Sequence, residues 1–408
     1  MNLLHIVPSM NPKQGGVCEA IRNFEIGFQS IQNQSLGNRY VLCLDDPAEA
    51  SLWNNQGLIL YALGKVENPW QFHKSLKQWL ELNYSRFDVI IVHGIWLHHS
   101  FAVYKLMSKL KKQKLNAPQF FVMPHGMLDP WFQTDKTRWL KASRNNIYWE
   151  LIEKKVINCA DGLLFTCEQE KDLARIPFPH YKPKNEYVIG LGIKSPPILE
   201  KKMKDTFLDG YPILKDKSYF LFLSRIVYKK GIDLLIEAYT SILYTYTENA
   251  KEIPMLVIAG PGLDTTYGKA IQEKVKNNEE LLDKIVFTGM ITGNVKWGAL
   301  YGCEAFILPS HQENFGIAVV EALACAKPVL ISNQVNICKE IELGGGGIIA
   351  QDNLEGTKEL FANFIKLTEA DKAEMNKRAK ASFIKYFDIN QTVKNLVKIL
   401  RISTKTFK

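Results

Sequence analysis

The stretch Pro309-Ser-His-Gln-Glu-Asn-Phe-Gly-Ile-Ala-Val-Val-Glu-Ala-Leu-Ala324 indicates both the fold and the kind of site in this chain of 408 residues. An apolar run before it, Ala305–Leu308, predicts a strand, and the residues from about Phe315 onward predict a helix. The first backbone N–H groups of a helix have no partner within the helix, and they favour a phosphate. We therefore predict a strand–loop–helix unit that binds an anion. Its predicted donors are the N–H groups of Asn314, Phe315, Gly316 and Ile317.

Two glutamates flank that predicted helix start. Glu313 lies in the loop, where its carboxylate can accept hydrogen bonds from the hydroxyl groups of a sugar. Glu321 follows eight residues later, among apolar helix neighbours. A carboxylate in such surroundings needs a partner, and the two hydroxyl groups of a ribose are suitable donors. The alternative is a solvated loop glutamate together with a helical glutamate in a salt bridge.

Short β-branched runs alternate with amphipathic helical segments along the whole chain, which indicates parallel sheets covered by helices. In the first half the predicted strands are Leu3–Val7, Tyr40–Leu44, Val89–Val92, Phe120–Met123, Gly162–Phe165 and Tyr187–Ile189. In the second half they are Tyr219–Leu223, Met255–Ala259, Ile285–Phe287, Ala305–Leu308, Val329–Ile331 and Gly347–Ala350.

The composition changes at Gly190-Leu-Gly-Ile-Lys-Ser-Pro-Pro197, where glycine and paired prolines are followed by the charged stretch Glu200–Asp209. This pattern predicts a linker between two domains. We expect two doubly wound, Rossmann-like α/β domains, residues 1–195 and 210–386, that face a deep cleft. In such sheets ligands bind beyond the carboxyl ends of the strands.

The overall composition is that of a globular protein, with 46% hydrophobic and 23% charged residues. No apolar run has the length of a membrane span, and the first residues lack the features of a signal peptide. The seven cysteines are scattered without a C-x-x-C pair, which predicts reduced thiols in a cytoplasmic protein. The net charge of +9 comes without a nucleic-acid-binding motif, so nucleic acid is not an expected partner. The basic run Lys109–Lys114 leaves weak contact with the inner face of the plasma membrane open.

A second candidate site is Leu221-Phe-Leu-Ser-Arg-Ile-Val-Tyr-Lys-Lys-Gly231, at the end of a predicted strand. From there, Arg225 and Lys230 can reach a diphosphate and neutralise the charge that grows on a departing nucleoside diphosphate. In the first half, the pair Gly15-Gly16 precedes a predicted helix and allows a close backbone approach to a ligand. His125 ends a predicted buried strand, with Gly126 behind it.

The spacing of Glu313 and Glu321 resembles the E-x7-E signature of retaining GT-B glycosyltransferases, a family-four-like group with bacterial exopolysaccharide-building members. Arg225, Lys230 and Gly231 are similar to the diphosphate-binding pattern of that group, and the run His125–Trp131 is similar to its His-Gly motif. The resemblance implies contacts of His125 and Glu313 with the donor sugar, and of Glu321 with the ribose. Residues from Tyr386 onward resemble a C-terminal segment that returns to the first domain, which we place at about 387–408.

The resemblance extends to weaker segments. It implies that Gly15 and Gly16 approach the donor, that Gly260 and Gly262 form a second glycine turn, and that Met290 and Ile291 contact the base. Four further residues are candidates for the acceptor region: His93, Trp96, His98 and Asp129. For Trp96, core packing is an equal alternative. The run Gly344–Gly347 is either a mobile loop near the diphosphate or a tight connection.

The implied reaction is the retaining transfer of a hexose, with UDP-glucose favoured over GDP-mannose, to a glycan or lipid-linked acceptor. Because no D-x-D motif follows a strand, we expect no metal and no other cofactor. An oxidoreductase would need G-x-G-x-x-G after a first strand, which this chain lacks. The remaining alternatives are a nucleotide-sugar epimerase and a non-catalytic nucleotide-sugar-binding module of the same fold.

Overall fold

The computed structural model of the chain describes residues 1–31, 37–53, 57–135, 138–247 and 253–405. It forms two compact units. The first comprises Met1–Lys194 together with Ile389–Lys408, and the second comprises Ser195–Asp388. The change from the first unit to the second lies between Lys194 and Ser195, inside the glycine- and proline-rich stretch quoted above.

The first unit contains a parallel sheet whose strands are rich in β-branched and aromatic residues. Its strands are β1 (Leu3–Ile6), β2 (Arg39–Cys43), β3 (Ile59–Ala62), β4 (Val89–His93), β5 (Gln119–Met123), β6 (Gly162–Phe165) and β7 (Glu186–Val188). Their spatial order is β3-β2-β1-β4-β5-β6-β7, and every pairing is parallel. The central strands β4, β5 and β6 are buried along their full length, as expected for a sheet covered on both faces.

Helices connect these strands. They are α1 (Gly16–Ser30), α2 (Pro47–Trp53), α3 (Lys74–Asn83), α4 (His98–Lys112), α5 (Trp131–Thr134), α6 (Trp139–Tyr148), α7 (Lys154–Cys159) and α8 (Glu168–Ala174). A π-helical segment, Trp149–Glu153, joins α6 to α7. Helix α4 ends in the predicted basic run, where Lys109 pairs with Glu81 and Lys111 with Asp161.

The second unit repeats the same plan with six strands. These are β8 (Tyr219–Leu223), β9 (Met255–Ala259), β10 (Ile285–Gly289), β11 (Ala305–Leu308), β12 (Val329–Ser332) and β13 (Gly347–Ala350). Their order is β10-β9-β8-β11-β12-β13, again with parallel pairings.

The helices of the second unit are α9 (Lys201–Gly210), α10 (Ile232–Thr247), α11 (Thr266–Lys276), α12 (Glu279–Leu282), α13 (Gly293–Gly302), α14 (Ile317–Ala324), α15 (Cys338–Gly344), α16 (Leu354–Ile365) and α17 (Glu369–Ser382). A second π-helical segment, Phe383–Phe387, follows α17. The chain then returns to the first unit as α18 (Ile389–Lys405).

Both sheets are doubly wound, which confirms the predicted fold class. In each sheet the strand order reverses beside its first strand, between β1 and β4 in one unit and between β8 and β11 in the other. Loops leave in opposite directions at such a switch point and open a crevice at the carboxyl ends of the strands. The loops after β8 and β11 contain the two motifs that the sequence singled out, Arg225–Lys230 and Glu313–Ile317.

One strand was not predicted from the sequence. Strand β3 lies at the edge of the first sheet, and its residues are exposed or only partly buried. Its apolar run, Leu58–Leu63, is too short to distinguish a strand from a helix by periodicity alone. The predicted strands otherwise correspond to observed ones, with ends that agree to within two residues.

The glycine run Gly344–Gly347 is a tight connection, the second of its two predicted readings. Gly344 ends α15, and Gly345 has a φ of +66° as its C-cap. A Cβ on Gly347 would lie 2.2 Å from the carbonyl oxygen of Val329, so only glycine lets β13 pair this closely with β12.

Helix α18 packs against α1 through one apolar face. Its buried residues recur at the spacing of a helix: Ile389, Val393, Leu396, Val397 and Leu400. Gly27 of α1 provides the room, because a Cβ there would lie 2.5 Å from a methyl carbon of Val393. The final helix is therefore a part of the core of the first unit.

In the part of the chain that the structure describes, no helix is both long and apolar enough to cross a membrane. The seven cysteines are all free thiols, and all except Cys159 are buried.

Leu400→Ala is expected to lower the free energy of unfolding of the first unit by about 2–5 kcal/mol, because it removes fully buried methyl groups from α18. Ile402→Ala changes a side chain that is 56% exposed on the same helix and should cost less than about 0.5 kcal/mol. Urea unfolding followed by tryptophan fluorescence measures both. Equal costs for the two variants would contradict the packing of α18.

Candidate active site

In the second unit, the loops after β8 and β11 are joined across the switch point by backbone contacts. The backbone N–H of His311 donates to the carbonyl oxygen of Lys229 over 2.9 Å, and Ser310 Oγ donates to the same oxygen over 3.0 Å. Gly231 has a φ of +66°, and a Cβ there would lie 2.0 Å from the carbonyl oxygen of Pro309. Glycine is therefore required at the place where the two loops touch.

The contact between these two loops brings together two charged residues that were predicted to act in the site. Lys230 Nζ donates a hydrogen bond to Glu313 Oε2, and the lysine side chain is only 6% exposed. Burial alone would raise the pKa of Glu313. Lys230, Lys229 and the N–H of Asn314 together outweigh that effect, and the net result is a lowered pKa of the glutamate. Glu313 is thus held as a carboxylate.

The backbone of Glu313 is fixed from its other side by the loop after β12. Its N–H donates to the carbonyl oxygen of Gln334 over 3.0 Å, and its own carbonyl accepts from the N–H of Asn336 over 2.9 Å. Together these contacts form a one-residue parallel bridge with Val335. The position of the Glu313 side chain is therefore set by three consecutive loops of the sheet.

The predicted anion-binding helix start needs a correction. Helix α14 begins at Ile317, two residues later than predicted, with Gly316 at its N-cap and a φ of +73°. The N–H of Asn314 is not available as predicted, because it donates to Glu313 Oε1 over 3.1 Å. Phe315 is buried and packs edge-on against Phe387. The first turn of α14 remains the part of this loop that can offer backbone N–H groups to an anion.

Arg225 lies in the loop after β8 with an exposed side chain. The glycine turn after β9 supports the backbone of this loop, since a Cβ on Gly260 would lie 1.8 Å from the carbonyl oxygen of Ser224. Gly262 approaches the carbonyl oxygen of Ile226 in the same way, at 2.8 Å. The structural role of these two glycines is thus to let two backbones meet beneath Arg225.

Glu321 has a protein partner that the sequence did not reveal. Lys296 Nζ of α13 donates to Glu321 Oε1 over 2.7 Å, so the alternative of a salt-bridged helical glutamate applies in this structure. Lys296 also lies over the ring of Trp297. Of the two residues predicted to contact the base, Met290 is 70% exposed whereas Ile291 is buried. Of the two, Met290 has the exposed side chain that a base could contact.

In the first unit, helix α1 begins at Gly16, directly after the predicted glycine pair. Gly15 has a φ of +84°, and no atom lies within 4 Å of the position that its Cβ would take. The start of α1 is therefore open above the backbone, as close approach of a ligand requires.

His125 follows β5 in a left-handed backbone conformation, with a φ of +54°. Its Nε2 lies 2.9 Å from Nδ1 of His93, and Nε2 of His93 lies 2.8 Å from Nδ1 of His5. The three rings form a continuous hydrogen-bonded row, which we call the histidine chain. His99 Nε2 lies 3.0 Å from the carbonyl oxygen of His93 beside it.

Burial keeps these imidazoles neutral. It lowers the pKa of His5 to about 3 and the pKa values of His99 and His125 to about 4. Burial, followed by the neighbouring histidines, also lowers the pKa of His93 well below its usual value.

The residues predicted for the acceptor region are not gathered into one exposed patch. His93 is 0% exposed, so in this structure the ring of this candidate offers no surface to an acceptor. His98 is 7% exposed and packs on Phe72 and Trp70. Trp96 packs on Phe178 and donates from Nε1 to the carbonyl oxygen of Met127, which is the core-packing alternative. Asp129 is buried and accepts from the N–H of Trp131, the first residue of the short helix α5.

Two buried glutamates near these loops were missed by sequence reasoning. Glu170 accepts from the backbone N–H groups of Gly126 and Thr166 and thereby fixes the turn behind His125. Glu153, on the π-helical segment, accepts from the N–H of Trp96 and from Ser100, and burial raises its pKa to about 7. Neither belongs to a motif, so only the three-dimensional fold reveals them.

Among the described residues, no three or more His, Cys, Asp or Glu side chains are arranged as a site for a metal ion. The histidine chain is a row of rings joined by hydrogen bonds.

The comparisons with known proteins agree with this architecture. Residues 203–382, most of the second unit, match the family model described as glycosyl transferases group 1. Over almost its full length the chain resembles a solved structure of Anabaena Alr3699/HepE in complex with UDP and glucose. The TM-score is 0.72 at 15% sequence identity, and the match covers 98% of this chain and 99% of that chain. The fold is therefore GT-B, and the match to group 1 rests on the second unit.

Curated relatives align over shorter segments. The chain is 32% identical over 145 residues to an uncharacterized glycosyltransferase, MJ1607, of Methanocaldococcus jannaschii, covering 36% of this chain and 35% of that protein. It is 31% identical over 178 residues to the alpha-monoglucosyldiacylglycerol synthase of Streptococcus pneumoniae, covering 42% of this chain and 37% of that protein. The chain thus spans little more than a third of the length of these curated relatives. The likeness to group 1 glycosyl transferases therefore lies in residues 203–382 of this chain.

Lys230→Met is expected to raise the pKa of Glu313 above its usual value, since burial then acts without the opposing ammonium. It should also lower the free energy of unfolding of the second unit by about 1–3 kcal/mol. The pKa is measured by NMR titration of ¹³C-labelled glutamate, assigned with Glu313→Gln.

Lys229→Met is the matched control, because Lys229 is the neighbouring lysine and contributes less to the pKa of Glu313. We expect a smaller pKa change and little loss of stability. If Lys229→Met shifted the pKa as much as Lys230→Met, the assignment of Lys230 as the main partner would be wrong.

The free energy of unfolding of the first unit is expected to fall as the pH drops from about 6.5 to about 4. In this window the unfolded chain binds protons at His5, His93, His99 and His125, whereas the folded chain does not. Glu153 acts in the opposite direction, because its pKa is raised to about 7 in the folded chain, and it offsets about one of these histidines. Each such histidine contributes up to about 1.4 kcal/mol per pH unit. Glu313, with its lowered pKa, adds its own loss in the second unit only at lower pH.

Urea unfolding at several pH values measures this dependence. His99→Gln retains a donor for the carbonyl oxygen of His93 and should make the slope shallower by about one histidine. A stability that stays constant between pH 6.5 and 4.5 would contradict the neutrality of these rings.

Proposed function

We propose that this chain is a glycosyltransferase that moves a hexose from a nucleotide sugar to a hydroxyl group of a glycan or lipid-linked acceptor. The observation that carries the proposal is the pair Lys230–Glu313 at the switch point of the second unit, with Arg225 in the same loop. An ammonium, a guanidinium and a fixed carboxylate beside the start of a helix suit a ligand that combines phosphates with hydroxyl groups.

Arg225 has an exposed guanidinium at the carboxyl end of β8, where a doubly wound sheet binds ligands. Lys230 is buried, and Glu313 neutralises it. We propose that the diphosphate binds to Arg225 and the first turn of α14, while Lys230 turns part of its hydrogen bonding from Glu313 to the phosphate. Glu313 is then available to accept from the hydroxyl groups of the sugar.

In the reaction that we propose, the bond between the anomeric carbon and the phosphate oxygen breaks first. The transition state resembles an oxocarbenium ion, and its negative partner is the departing diphosphate. Arg225, Lys230 and the N-terminus of α14 stabilise the charge that grows on this diphosphate. The acceptor oxygen attacks from the face that the diphosphate leaves, and its proton passes to the departing phosphate oxygen. The anomeric configuration is retained, and no metal ion takes part.

Other details of the proposal follow from the sequence motifs and the named relatives. UDP-glucose is the first candidate donor, since the Anabaena structure holds UDP and glucose. GDP-mannose is the next, because the curated relatives include an O-antigen chain mannosyltransferase of Escherichia coli.

We propose that His125 contacts the donor sugar and that the open start of α1 at Gly16 faces the donor. Peripheral contact with a membrane stays a prediction, and in its basic run Lys109 and Lys111 are engaged with Glu81 and Asp161.

The proposal is tested by donor hydrolysis with the purified full chain, in EDTA and without acceptor. A panel of UDP- and GDP-sugars is screened for release of the nucleoside diphosphate. We expect slow hydrolysis of one donor, reduced about 100-fold in Arg225→Ala, because that variant loses one stabilising group for the leaving diphosphate. Glu313→Ala should abolish the hydrolysis of this donor completely.

Lys215→Ala is the control, as it removes one exposed cation of the same unit whose partner is Asp209. It should hydrolyse the donor at the rate of the unchanged chain. Silence with every donor, together with an increase of the melting temperature in UDP or GDP, would reject catalysis and favour a binding module. Silence without such an increase would reject nucleotide binding at this site as well.

A further inference from the structure

The hydrogen bonds of the histidine chain His5–His93–His125 restrict which ring nitrogen carries the proton in each residue. All three rings are neutral, and a neutral imidazole carries one N–H and one bare nitrogen. His93 is hydrogen-bonded through both nitrogens, so it donates to one neighbour and accepts from the other. The tautomer of His93 therefore fixes which nitrogen carries the proton in His5 and in His125.

Only two arrangements satisfy both hydrogen bonds. In the first, every ring carries its proton on Nδ1: His5 donates to His93, and His93 donates to Nε2 of His125. In the second, every ring carries its proton on Nε2, and the direction of donation is reversed. The three rings share one tautomer in either arrangement, because each hydrogen bond joins an Nδ1 to an Nε2.

The two ends of the histidine chain differ in their surroundings. His5 is 1% exposed, and its ring is stacked on Phe24. In the second arrangement a proton would lie on Nε2 of His5, in an almost fully buried ring whose described hydrogen bond uses Nδ1. In the first arrangement the terminal N–H is Nδ1–H of His125, whose ring is only partly buried and can donate to water or to a ligand. Buried N–H groups without acceptors are rare in native structures, so the first arrangement is favoured.

The backbone around His125 is arranged to hold the ring in place. A positive φ at a histidine is uncommon, and such strain persists only where neighbouring groups enforce it. Glu170 enforces it here by accepting the N–H of Gly126. On the other side, the carbonyl oxygen of His93 accepts from Nε2 of His99, and the N–H of Gly94 donates to the carbonyl oxygen of Met123.

We propose that His5 and His93 are positioning residues that hold His125 in its Nδ1–H tautomer, so that the ring offers a fixed hydrogen-bond donor to the ligand of the first unit. The part that concerns a ligand rests on the proposed function, in which this ligand is the donor sugar. A hydroxyl oxygen of the sugar accepts from Nδ1–H without competition from the row of rings, because the hydrogen bond to His93 uses Nε2.

The test is an NMR spectrum of the full chain labelled with ¹⁵N-histidine, recorded near neutral pH without any ligand. The nitrogen shifts and long-range proton couplings of each ring report which nitrogen carries the proton. We expect Nδ1–H for His5, His93 and His125. His99 serves as an internal reference, since it donates from Nε2 to a carbonyl oxygen and must be the Nε2–H tautomer.

Two variants of His93 test the two hydrogen bonds of the histidine chain separately. His93→Asn keeps a polar group near the position of Nδ1 and should leave His125 in the Nδ1–H form. His93→Gln keeps one near Nε2 instead, so His125 loses its partner and should shift toward the Nε2–H tautomer that free imidazole prefers in water. His99→Gln, which alters a neighbouring histidine outside the histidine chain, should leave the signal of His125 unchanged.

The spectrum of the unchanged chain decides the proposal even if a variant does not fold. An Nε2–H signal for His125, or an averaged signal of both tautomers, overturns it. The donor assay adds a second readout, in which His93→Gln should lower kcat about tenfold with little change of KM, as loss of one oriented hydrogen bond predicts. A silent donor assay together with Nδ1–H at His125 would reject the proposed function and leave the histidine chain supported.

Discussion

The buried ammonium of Lys230 is the constraint on which the arrangement of the second unit depends. An unpaired charge in that position would be costly, and Glu313 removes the cost by placing its carboxylate against it. The two residues come from loops that follow different strands, so the ion pair also fixes the mutual position of the loops after β8 and β11. The closely packed Gly231 and Pro309, and the bridge from Glu313 to Val335, then leave the loops a single arrangement.

The first unit has the same topology but a different electrostatic character at its switch point. There the ends of β1 and β4 contribute His5 and His93, which are neutral and joined by hydrogen bonds without an ion pair. One unit thus has groups suited to a charged ligand, and the other has groups suited to a ligand with hydroxyl groups.

Much of the fold could be predicted from the sequence, because buried parallel strands such as β4, β8 and β9 are short, β-branched or aromatic and bounded by turn residues. The edge strand β3 was missed, because the apolar run Leu58–Leu63 is too short to distinguish a strand from a helix by periodicity alone. In the candidate site, the motifs identified Arg225, Lys230 and Glu313 as separate residues. The contacts Lys230–Glu313, Lys296–Glu321 and His93–His125 could not be predicted, since they join residues between 25 and 83 positions apart through the packing of different elements and loops.

Helix α18 makes the first unit discontinuous along the chain, since Ile389–Lys408 completes a core that begins at Met1. The second unit, by contrast, is one uninterrupted segment, Ser195–Asp388. As a ribosome releases the chain from its N-terminus, the second unit is complete in sequence before the first one is. The face of α1 that α18 covers stays open to water and to chaperones until Ile389–Lys408 has been synthesised. The core of the first unit therefore closes only after the whole second unit has left the ribosome.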